Sequence, residues 1–89
     1  MVMFSIEYHR KTKKDLRNLK VKGLAENAKT LIEVLKKNPF QNPPPYEKLT
    51  GNLSGFYSRR INITHRLVYE VNAAEKTVRV LSMWSHYGE

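Results

Sequence analysis

Three consecutive prolines, in Asn42-Pro43-Pro44-Pro45, divide this chain into halves of different periodicity. None of the three carries a backbone N–H and each has a fixed φ, so neither a helix nor a central strand passes through them. Upstream the spacing is mainly helical. Leu24, Ala28, Leu31, Ile32 and Leu35 fall on one helical face, and Asn38-Pro39 ends that helix because the residue before a proline is pushed out of the α region. An earlier helix is expected over residues 11–22, with Leu16 and Leu19 facing inward and Gly23 as its stop. Ahead of both, Val2, Phe4, Ile6 and Tyr8 alternate as in a half-buried strand. Downstream of the prolines the pattern predicts strands over 55–61, 64–71 and 76–84, a turn over 71–76, and a short further strand near 46–50. The order β-α-α-β-β-β predicts an α+β fold, with two helices on one face of a small, mainly antiparallel sheet. With 89 residues there is room for a single domain, residues 1–89, and the proline run is a rigid connection inside it.

Charge narrows the partners. Sixteen Lys and Arg against eight Asp and Glu give a net +8, an excess that favours polyanions and speeds encounter with them. Nucleic acid is the first expectation, ahead of an acidic protein or an anionic membrane surface. The absence of cysteine excludes disulfide-stapled scaffolds and thiolate metal sites. No apolar run reaches the roughly 20 residues of a membrane span, and the first residues do not read as a signal peptide. Cytoplasmic residence is therefore expected, with no cofactor and no metal, since the three histidines are scattered.

Strand parity sorts the residues of the last half. If strands 55–61 and 64–71 form a hairpin with Ile61 facing the core, Tyr57 and Arg59 share its side with Leu67, Tyr69 and Val71. Phe56, Ser58 and Arg60 then lie on the other side with Arg66 and Val68. The helices cover the first set, which leaves Arg60 and Arg66 together on an open face. A one-residue slip would invert the assignment. Two guanidiniums so placed match phosphate oxygens bidentately and stay charged throughout a reaction. Arg59 is either a structural residue or a further substrate contact. His9 suits a helix cap and His65 a satisfied, partly buried position. Glu47 with Arg66 and His86 supplies a general base, a phosphate stabiliser and a general acid. RNA cleavage by its own 2′-hydroxyl requires those three roles. The basic segment 11–22 suits contact with an RNA backbone without sequence readout.

Asn52-Leu53-Ser54-Gly55-Phe56-Tyr57-Ser58-Arg59-Arg60-Ile61, followed by His65-Arg66-Leu67-Val68-Tyr69 and His86-Tyr87, resembles the Txe/YoeB toxins of bacterial type II toxin–antitoxin modules. Asn38-Pro39-Phe40 and Glu47-Lys48-Leu49 fit the approach to that motif, so the likeness is close over residues 38–87 and only by pattern before them. The resemblance implies a RelE-like fold and a ribosome-dependent mRNA endoribonuclease. It implies Glu47 as general base, His86 as general acid, Arg66 as the transition-state arginine, Tyr87 as the residue that orients or stacks on the substrate, and Arg60 as a phosphate contact. It also implies a cognate antitoxin of the YefM/Axe kind with an acidic segment, and the ribosome and mRNA as partners; a homodimer is left open by the sequence. The alternative is a non-catalytic toxin of the RelE/ParE fold that inhibits its target by binding. Two departures from the family pattern stand out. Thr50 occupies a position where members often carry lysine, leaving Lys48 as the nearest cation for the substrate but at opposite strand parity. The sequence also continues past Tyr87 with Gly88-Glu89, which adds a carboxylate near the proposed acid.

Overall fold

The computed structural model describes residues 3–84. Five strands form one sheet in the order β1-β5-β4-β3-β2, where β1 is Ser5–Tyr8, β2 Glu47–Lys48, β3 Phe56–Arg60, β4 Arg66–Asn72 and β5 Thr77–Ser82. β1 runs parallel to β5, while the other pairings are antiparallel. The helices α1 (Thr12–Val21) and α2 (Ala25–Lys37) connect β1 to the proline-rich segment. Among the described residues no helix is long and apolar enough to cross a membrane.

The helices form where the spacing predicts them. α1 closes in a Schellman motif, with Gly23 at φ +74°. The Leu24 N–H donates to Leu19 O at 2.8 Å and the Gly23 N–H to Lys20 O at 3.1 Å, which satisfies carbonyls the helix end leaves open. α2 stops at Asn38, whose backbone is extended before Pro39. Leu19, Ala28, Leu31, Ile32 and Leu35 pack against Leu67, Tyr69, Val78 and Val80 of the sheet, and together these form the core. Ile6 of β1 and Phe4 just before it lean on this core. Tyr8 shares their parity yet is exposed, because it stands at the end of β1 beside the groove between α1 and α2 rather than beneath a helix.

The register places the site. Arg59 lies opposite Leu67 and Tyr57 opposite Tyr69, while Ser58 faces Val68 and Arg60 faces Arg66. Parity therefore runs as expected from the sequence, with the helices covering the Leu67–Tyr69 side. The short strand expected near 46–50 is β2, two residues long, which sits at the sheet edge with Glu47 opposite Ser58 and Lys48 opposite Tyr57.

Candidate functional site

On the face away from the helices, Glu47, Ser58, Val68, Arg60 and Arg66 come together through the ladder β2-β3-β4. Ser58 and Val68 are buried and form the floor. Arg66 stands over them. Its Nη1 donates to Glu47 Oε1 in an ion pair and lies 3.5 Å from Ser58 Oγ. Arg60 lines a shallow groove of about 200 Å³ with Pro45, Tyr46, Glu47 and Ser58. Two like charges directly opposite on neighbouring strands repel. Here the Glu47 carboxylate compensates Arg66 and solvent screens the exposed Arg60. The Glu47 side chain is 62% exposed, so the pair stabilises by less than ~1 kcal/mol.

Arg59 points the other way. Only 1% exposed, it donates from Nε to Tyr69 Oη (3.1 Å), from Nη1 to Pro44 O (2.5 Å), and from Nη2 to Pro39 O and Gln41 O (both 2.9 Å). Its guanidinium also lies over the Tyr46 ring, 4.9 Å from the centroid. Of the two roles the sequence allows it, the substrate contact is therefore corrected to the structural one, since its donors are held by protein carbonyls and the Tyr69 hydroxyl. Tyr69 Oη in turn donates to Pro39 O at 2.9 Å. Burial pushes the phenol up to about 12, and the positive charge of Arg59 opposes that only in part.

Lys48 falls on the Tyr57 side of β2, the opposite sheet face from Glu47, and does not join Arg60 and Arg66. His9 Nδ1 accepts the Lys11 N–H at 3.2 Å just ahead of α1, but no side chain caps the helix itself. His65 is satisfied as expected. Its Nδ1 hydrogen-bonds Trp84 O, an acceptor only, so that nitrogen carries the proton. Its ring stacks on Trp84 with centroids 4.0 Å apart. His86 and Tyr87 lie outside the described residues. Two residues around the site receive no role from the sequence. Ser58 is placed on this face by its parity with Arg60 alone, and Tyr46, the residue next to Glu47, lines the groove and packs on Arg59.

A family model described as the YoeB-like toxin of bacterial type II toxin-antitoxin system matches residues 8–87. The chain belongs to that family. The toxin YoeB of Synechocystis sp. is 39% identical over 66 residues, 74% of each protein. A YoeB/ParE toxin from Agrobacterium tumefaciens superposes with a TM-score of 0.83 at 27% identity, covering 94% of this chain and all of that one. The YoeB-YefM complex from Staphylococcus aureus contains a chain that superposes at 0.77 with 30% identity, covering 94% of this chain and 98% of its own. The two helices on a mixed five-stranded sheet are thus the fold of these toxins. Within it Glu47, Arg60 and Arg66 occupy one face.

Proposed function

We propose that this YoeB-family toxin cleaves mRNA on the ribosome by general acid–base catalysis, with Glu47 as base, Arg66 and Arg60 as phosphate clamp and His86 as acid. The convergence of Glu47, Arg60 and Arg66 on one open face carries the reading. Glu47 takes the proton of a 2′-hydroxyl, and that oxygen bonds to the adjacent phosphorus. The bond to the 5′-oxygen breaks and His86 protonates the leaving oxygen. The products are a 2′,3′-cyclic phosphate and a free 5′-hydroxyl. The two guanidiniums hold the charge that grows on the phosphoryl oxygens and need no proton bookkeeping of their own. Arg66 holds one carboxylate oxygen of Glu47, which aims the other at the substrate. Tyr87 orients the nucleotide.

A net charge of +8 suits work inside an RNA-rich particle of the cytoplasm. It also suits neutralisation by a YefM-like antitoxin whose acidic segment competes for the same arginines, and self-association into a homodimer is the further partnership of this reading.

Primer extension on a model transcript, with and without ribosomes, tests the proposal. Glu47→Gln should lower the cleavage rate ~10²–10⁴-fold, the usual contribution of one proton-transfer group. His86→Ala should do the same while both variants remain folded. New DNA breaks without new transcript ends would instead assign the chain to the toxins that act by binding.

A further inference from the structure

We propose that Arg59 is the positioning residue for Glu47, acting from the buried side of the sheet through the proline-rich segment. The proposal rests on Glu47 being the general base. Burying a cation is expensive, several kcal/mol even after relaxation, and among the described residues no carboxylate pairs with Arg59. Its partners are carbonyls of one segment, Pro39 O, Gln41 O and Pro44 O, together with Tyr69 Oη, which itself holds Pro39 O.

That segment needs an outside donor. Pro43, Pro44 and Pro45 have no N–H to form a ladder, and the next strand, β2, is only two residues long. Arg59 provides the missing donors and packs beneath Tyr46, the residue that precedes Glu47. Its own backbone lies between Ser58, the ladder partner of Glu47, and Arg60. The position of the carboxylate along the sheet edge is thus fixed from below by a residue that touches no substrate. Only arginine fits this role. Its planar fork sends five N–H groups in fixed directions, whereas lysine sends three from a single point.

The test uses the full chain on programmed ribosomes at saturation, with single-turnover cleavage as readout and thermal unfolding as control. Arg59→Lys keeps the charge and loses the span. It should slow cleavage ~10- to 100-fold, the scale of a misplacement near 1 Å, without changing the ribosome concentration at half-saturation. In the Glu47→Gln background, where the rate is already ~10²–10⁴-fold lower, Arg59→Lys should add little further loss. Wild-type cleavage by Arg59→Lys, or full multiplication of the two losses, overturns the positioning role while leaving the base assignment standing. An inert Glu47→Gln in the wild-type background overturns the base assignment and the proposal with it. Should Arg59→Lys fail to fold, Tyr69→Phe, which removes one acceptor of Arg59 and the tether to Pro39 O, runs the same cycle. A smaller loss with the same lack of additivity supports the proposal, and a multiplicative one overturns it.

Discussion

Arg59 and Arg60 are chemically identical neighbours on β3, and the strand pleat alone sends one into the molecule and the other into solvent. The buried one sits in a polar knot with Tyr69, and that knot has a pH signature. The Tyr69 phenol is raised to about 12 by burial, above the ~10 of an unfolded tyrosine. The folded chain therefore holds a proton that the unfolded chain releases first. The stabilisation is fully present below pH ~10 and is lost as pH rises through about 12, amounting to at most ~3 kcal/mol. Alkaline unfolding followed by circular dichroism should show this slope, and Tyr69→Phe should flatten it. Ultraviolet titration of the phenolate band should show a component near 12 that Tyr69→Phe removes. Parity alone made the two sides of this strand legible, because side chains alternate whatever the rest of the fold does. The carbonyls that hold Arg59 were not legible. They belong to a segment without periodicity, whose path is determined by tertiary packing rather than by any local rule.

Elements show the same division. α1 and α2 were readable because each buries one face, and their ends because Gly23 and Asn38-Pro39 carry local chemistry. The parallel pairing of β1 with β5 was not, since the order of strands in a sheet is a long-range fact that leaves no trace in either strand's own sequence. Gly23 allows a direct test of the local rule. At φ +74° it occupies the left-handed region, and a Cβ there would meet no heavy atom within 4 Å. The penalty of Gly23→Ala is therefore backbone strain alone, ~1–2 kcal/mol. Chemical denaturation should report that loss with an unchanged m-value, and ribosome-dependent cleavage by the folded fraction should be unaffected. A much larger loss would mean that the turn between the helices does more than reverse the chain.

At the scale of the whole molecule the two sheet faces carry different kinds of positive charge. On the open face Arg66 pairs with the Glu47 carboxylate and Arg60 stands opposite Arg66. On the helical side, α1 turns Thr12, Asp15 and Leu19 inward, while Lys13, Lys14, Arg17 and Lys20 remain exposed. Its only acidic residue, Asp15, is buried, with Oδ2 accepting the Met83 N–H at 3.0 Å. The charge that α1 turns outward is thus uniformly basic and lies across the molecule from the proposed cleavage site. Such a stripe contributes through release of condensed counterions, which depends on the number of phosphates met and not on base identity. Replacing Arg17 and Lys20 with Gln should reduce the slope of log affinity against log salt by ~0.7 for each single-strand phosphate that is no longer neutralised. The weakening should be uniform across RNA sequences, and the single-turnover rate at saturation should stay at the wild-type value. Arg66→Gln should do the opposite, lowering that rate steeply while the slope changes by the equivalent of about one phosphate. Filter binding over a salt series, paired with single-turnover cleavage, separates the two faces. If the α1 variant also slows the saturated reaction, the helix contributes to chemistry and not merely to encounter.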